Sequence, residues 1–297
     1  MTESLMLRRQ LRQSIDDEIA QRTADHQARM ARLAVGRAGL AATAPGSPLV
    51  MLAHGDSWFD YPLDGNGPTF GTTDVIHQLG SMGAVNPIIL NISHHGDAST
   101  DEMSLPKQQR LIQALQDPKN WGPSHKPDAI LISCGGNDMA GDQFCIFLDQ
   151  AGPGSDGLDA ARFSGVLGMV KASFLDLFDF RDRHATDVPI FAHCYDFPIP
   201  NGVHPICAGP WLQPSLTFAG WTDVSQGTDI VRRALLGFKA MLAGLAADAQ
   251  NQFTLVDTQG TLAASDWANE LHPFPTGFQD IAGKFVTALR AAFPNRI

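Results

Sequence analysis

The chain has 297 residues, of which 44% are hydrophobic and 18% charged, enough apolar side chain for a sizeable core and too little charge for global disorder. Its net charge of −10 repels a phosphate backbone, which argues against nucleic acid as a partner. The four cysteines, Cys134, Cys145, Cys194 and Cys207, form no C-x-x-C pair, so neither a structural zinc site nor a thioredoxin-type motif is expected.

Residues 1–45 read as an N-terminal helical arm. Leu5, Leu7, Leu11, Ile15, Ile19, Met30, Leu33 and Val35 recur at roughly helical spacing among charges. The arm is expected to pack on the main domain, with self-association into a homo-oligomer as the alternative. It contains no apolar core of a signal peptide, and no run in the chain is long enough to cross a bilayer. Cytoplasm is the expected compartment, and export that needs no cleaved signal stays compatible. The breaker Ala44-Pro45-Gly46-Ser47-Pro48 separates the arm from one domain over 46–297.

The apolar run 49–53 predicts a short buried strand that stops at Gly55, with Ser57 two residues on. A loop over 63–71 and a helix over 74–79 follow. The run 87–92 predicts a second strand ending in Ser93-His94-His95-Gly96-Asp97, and 99–116 a helix. A third strand, 128–133, runs into Cys134-Gly135-Gly136-Asn137-Asp138. A loop over 150–157, a helix over 160–183 and a fourth strand over 188–193 come next. Residues 195–221, rich in proline and aromatics, predict an irregular wall of a cleft. A helix over 228–247, a strand over 253–257, a loop over 266–275 and a closing helix over 277–293 complete the chain. Strands alternating with helices predict a parallel sheet covered on both faces.

Three strand ends carry small or polar groups, and ligands of open α/β sheets bind at those ends. Ser57 is a candidate nucleophile, which needs a base, and His272 supplies an imidazole. Acyl transfer also needs donors aimed at a developing oxyanion, and a glycine N–H with an asparagine amide can serve. Trp58, Tyr61 and Trp211 are expected to line the cleft. His54, His94 and His95 lack carboxylates at ligand spacing and read as supporting or surface residues, so no metal is expected.

Gly55-Asp56-Ser57, Gly96, Gly136-Asn137-Asp138 and His272-Pro273 resemble the four blocks of the SGNH (GDSL) hydrolase family, in the family's order over about residues 48–293. The resemblance implies a flavodoxin-like three-layer α/β/α sandwich on a five-stranded parallel sheet, and hydrolysis of carboxylic esters, esterase- or lipase-like, through an acyl-enzyme without a cofactor. It makes Ser57 the nucleophile and His272 the general base. The Ser57 N–H, the Gly96 N–H and the Asn137 side chain become oxyanion donors. One departure stands out. The family has Asp three residues before the histidine, where this chain has Asn269, and Asp266 lies six before. Asn269 or a nearby backbone carbonyl is ranked first for orienting the imidazole, then Asp266 if the loop folds back, then Glu270. Two other classes compete: a metal-dependent phosphoesterase built on Asp56, Asp60 and Asp138, and a binding protein without catalysis on the same fold.

Overall fold

The computed structural model describes residues 3–36 (side chains from 12 onward), 46–63, 73–204, 207 and 209–297. The side chains of Leu5, Leu7 and Leu11, and the expectations placed on Ala44, Pro45 and most of the 63–71 loop, lie outside what is described.

Five strands form one parallel sheet: β1 (Val50–Gly55), β2 (Ile88–Asn91), β3 (Ala129–Ser133), β4 (Ile190–His193) and β5 (Phe253–Val256), in the order β2-β1-β3-β4-β5. In the central pairing, Leu52 sits opposite Leu90 on one side and Ile130 on the other. Every residue of β1, β3 and β4 is buried. Such unbroken apolar runs are what a parallel sheet covered on both faces requires. From β1 the chain crosses to one neighbour, β2, and then returns to the other, β3. That reversal opens a crevice between the carboxyl ends of β1 and β3.

Helices complete the three layers. On one face α2 (Val75–Leu79) packs on the last helix, α8 (Pro275–Ala292). The other face carries a packed succession of α3 (Ser99–Glu102), α4 (Leu105–Gln116), α5 (Ala160–His184) and α7 (Val224–Ala246). The fold is thus the three-layer α/β/α sandwich expected.

Three details differ from the sequence expectation. The helix expected over 99–116 is two, because Pro106 enters the first turn of α4 and Ser104 caps it in extended backbone. The helix α7 starts at Val224, since the Asp223 carboxylate accepts the N–H groups of Ser225 and Gln226. The segment expected to be irregular, 195–221, contains the short helix α6 (Gln213–Phe218), with Pro214 in its first turn.

The arm is one helix, α1 (Glu3–Gly36), which packs against β2, an edge strand of the sheet. Its inward stripe includes Ile19, His26 and Met30, all buried. Two polar members make the stripe look irregular in sequence. The ring nitrogen Nε2 of His26 meets the Asn120 carbonyl at 2.8 Å, and Arg22 ion-pairs with Asp60. All four cysteines are free thiols, with Cys134 and Cys194 buried.

Candidate active site

The turn that presents Ser57 is fixed from below. At Gly55 a Cβ would stand 2.4 Å from the Ser133 carbonyl oxygen, so only glycine lets β1 end this close to β3. The Asp56 N–H then bonds to that carbonyl at 3.0 Å. The Asp56 carboxylate turns inward and accepts three donors: Trp58 N–H at 3.0 Å, Ser133 Oγ–H at 2.6 Å and Tyr195 Oη–H at 2.5 Å. Burial pushes its pKa up to about 6 against the pull of those donors. Behind it, His193 Nδ1 accepts the Tyr195 N–H at 3.2 Å, which leaves Nε2–H to donate to Ser133 Oγ at 2.8 Å. Burial drives the His193 pKa down to about 3. The Tyr195 hydroxyl also accepts the Gly136 N–H at 2.9 Å. One buried network therefore ties the Ser57 turn to the Gly136-Asn137 turn.

A second tie comes through the turn after β2. His94 N–H donates to the Gly55 carbonyl at 2.9 Å, and Asn137 Nδ2 donates to the Asp97 carbonyl at 2.8 Å. Between them lies Gly96 at φ 83°, a conformation that favours glycine. Asp138 holds the start of α3 by accepting the Ser99 N–H and Oγ–H, each at 2.8 Å. Arg22 of the arm donates to the Ser93 carbonyl at 3.1 Å and pairs with Asp60, whose other oxygen faces His95 Nδ1 at 3.5 Å. Burial alone would raise the Asp60 carboxyl, but His95 and Arg22 together hold it below its usual range.

The histidine arrives from the loop before α8. Ser57 Oγ and His272 Nε2 lie 2.7 Å apart, although 215 positions separate them in the chain. Asn269 Oδ1 accepts the N–H groups of Leu271 and His272 at 3.0 and 2.9 Å and faces His272 Nδ1 at 3.2 Å. Its Nδ2 donates to the Tyr61 hydroxyl at 3.2 Å, which fixes the amide with its oxygen toward the ring. The tautomer this favours carries the proton on Nδ1 and leaves Nε2 as an acceptor for the serine O–H. Burial drives the His272 pKa down to about 3, with the nearby His95 acting in the same direction.

The remaining candidates are placed elsewhere. The Asp266 carboxylate accepts the Ala263 N–H at 2.7 Å and its backbone carbonyl takes the Phe274 N–H at 2.7 Å, so it shapes the loop and does not meet the imidazole. Glu270 is fully buried and accepts four backbone N–H groups: Gly202 and Gln213 at 3.0 Å, Leu212 at 2.9 Å and Trp211 at 2.6 Å. It pins the 202–213 stretch to the His272 loop. Of the three aromatics expected to line the cleft, Trp58 does so. Tyr61 and Trp211 instead flank the imidazole, with ring centroids 4.5 and 5.6 Å from it.

A pocket opens beside the pair, bordered by Ser57, His272, Asn137 and a largely apolar wall. Sequence reasoning missed Asp196 and the hydrogen-bonding roles of Tyr195 and Glu270. Asp196, three residues beyond β4, accepts the N–H groups of Phe197, Gly260, Thr261 and Leu262 at 2.6 to 2.8 Å. Its position after a strand was the one available signal. Among the described residues no group of three or more His, Cys, Asp or Glu is placed to hold a metal ion, and no helix is long and apolar enough to cross a membrane.

No family model matches the chain, and no curated protein matches it. Among solved structures the chain is similar to GDSL-type lipases and esterases. An extracellular lipase from Streptomyces rimosus aligns with TM-score 0.48 and 16% identity, covering 78% of this chain and 97% of that one. A member of the lipolytic protein G-D-S-L family from Veillonella parvula aligns with TM-score 0.44 and 16% identity over 80% and 96%. A carbohydrate esterase of family 3 from Talaromyces cellulolyticus aligns with TM-score 0.40 and 14% identity over 82% and 98%.

Proposed function

We propose that the protein hydrolyses carboxylic esters with Ser57 as nucleophile and His272 as general base, through an acyl-enzyme. The observation that carries this is the 2.7 Å approach of Ser57 Oγ to His272 Nε2 at the rim of a pocket, with Nδ1 facing an acceptor. As Oγ attacks the ester carbonyl carbon, Nε2 takes its proton. The carbonyl oxygen becomes an oxyanion that the Ser57 and Gly96 N–H groups and the second hydrogen of the Asn137 amide are proposed to stabilise. Collapse breaks the bond to the alcohol, which leaves with the proton from Nε2. Water, deprotonated by His272, then releases the acid and restores the serine.

Asn269 Oδ1 accepts a hydrogen bond from Nδ1–H but carries no charge, so it orients the imidazole without stabilising the imidazolium by charge. Burial keeps His272 unprotonated, so Nε2 is open to the serine proton, while its lowered basicity weakens the drive for that transfer. The proposal is tested by treating wild type and Ser57→Ala with a fluorophosphonate and an aryl ester. Labelling and turnover in wild type and neither in Ser57→Ala support it. Turnover that survives in Ser57→Ala but stops with a chelator would favour the phosphoesterase alternative.

A further inference from the structure

Beyond Ser57 the pocket runs toward helix α7, whose Val231, Ala234 and Leu235 stand at i, i+3 and i+4 and so share one helix face. Phe144 and Leu212 border it as well. Away from Ser57, His272 and Asn137, the carboxylates and the phenol in its wall are already engaged. Asp196 holds four backbone N–H groups, Asp56 holds three donors, and the Tyr195 hydroxyl both donates to Asp56 and accepts from Gly136. A hydroxylated acyl group would give up its water there and meet carboxylates and a phenol with their bonding filled, which is costly. An anionic acyl group would face two carboxylates in a wall that contains no lysine or arginine.

We propose that this pocket is the acyl subsite and that it takes an uncharged, unbranched aliphatic chain longer than acetyl and bounded by helix α7, in preference to acetyl and to hydroxylated or charged acids. The proposal rests on the serine-esterase reading of Ser57 and His272. Each methylene moved from water into an apolar pocket raises kcat/KM by about fourfold until the wall is met. Helix α7 is that wall.

The test is a series of aryl esters from acetate to dodecanoate, with the aryl monoester of succinic acid as the charged member. Wild type, Ala234→Phe and Val231→Ala are each labelled with a fluorophosphonate as a check on Ser57. In wild type, kcat/KM rises at least tenfold from acetate to hexanoate, falls by dodecanoate and is lowest for the succinate. Ala234→Phe fills the pocket and brings the hexanoate-to-acetate ratio down toward one, while Val231→Ala enlarges it and moves the optimum to a longer chain. The opposite directions of the two variants keep the outcome readable where one of them folds poorly. A flat series, or a ratio that neither variant moves, with Ser57 still labelled, overturns the acyl subsite alone. Failure of both labelling and turnover in wild type overturns the serine-esterase proposal and the subsite with it.

Discussion

Asn269 Oδ1 stands 3.2 Å from Nδ1 of His272 and is held there by the Leu271 and His272 N–H groups and, through Nδ2, by Tyr61. A carboxylate fits the same place. The two N–H groups would still donate to one oxygen, and the Tyr61 hydroxyl would turn to donate to the other. Asn269→Asp is therefore expected to raise kcat/KM on aryl esters at least about tenfold, since a charge beside the imidazolium stabilises the transition state. It also raises the imidazole pKa from its low value of about 3. Wild type should keep its kcat/KM from about pH 8 down to about pH 5, because the base is still unprotonated, whereas Asn269→Asp should lose activity through an acid limb between those values. pH–rate profiles of both proteins check the two statements together.

Asp266 and Glu270 should part company on mutation. Asp266 shapes a turn away from the ring, so Asp266→Ala is expected to lower kcat/KM by less than about tenfold, far from the roughly ten-thousandfold associated with a triad acid. Glu270→Ala leaves four backbone N–H groups, that of Leu212 buried and the others partly so, without their acceptor and should cost about 3 kcal/mol in stability. Urea titration and steady-state kinetics on the two variants distinguish them.

The arm reaches the rim of the site through Arg22, which holds the Ser93 carbonyl and Asp60. Arg22→Ala is expected to lower kcat about threefold to tenfold with little change in KM, because it loosens the turn that carries Gly96. The stability cost should be about 1 kcal/mol for a pair only partly shielded from water. Kinetics and a thermal melt measure both. An unchanged kcat would reduce Arg22 to a packing contact.

Four buried histidines favour the fold when neutral. Burial lowers His26, and takes His54 to about 4 and His193 and His272 to about 3, all below the ordinary 6.5. The folded protein thus binds fewer protons than the unfolded chain in this window. Stability from these groups is complete above about pH 6.5 and is lost as the pH falls toward 4 and 3. Asp56, raised to about 6 from 3.8, and Asp74, Glu102 and Asp138, also raised by burial, act in the opposite sense, gaining stability as pH falls through their folded pKa values. The two sets oppose one another, so the His193 share is isolated by substitution. His193→Gln, which preserves a donor toward Ser133, should lose less Tm than wild type as the pH falls from about 6.5 toward 3. Equal slopes in both proteins would contradict this assignment.

The sheet was legible because buried parallel strands leave uninterrupted apolar runs, and the glycines and small polar residues at their ends mark where backbone must approach backbone. Gly55, Gly96 and Asn137 belong to that class. What stayed hidden follows from how the site is held. Glu270 and Asp196 bind backbone N–H groups, which have no side-chain signature, so nothing in the sequence pairs them with residues 202–213 or 260–262. Tyr61 and Trp211 are aromatic in any reading, but only the folded loops set them against His272. In the arm, Arg22 and His26 interrupt an otherwise apolar stripe because each answers a polar group of the body.

The most direct measurement is to capture the covalent intermediate. An aryl ester is mixed with wild-type protein, the reaction is quenched in acid within the first turnovers, and the protein is digested for mass spectrometry. The peptide that contains Ser57 should gain the mass of one acyl group, placed on that serine, and the same treatment of Ser57→Ala should leave the peptide unmodified. Turnover of the ester with no acyl group on Ser57 at any quench time, or an acyl group on a different residue that turns over at the rate of the reaction, would contradict Ser57 as the nucleophile.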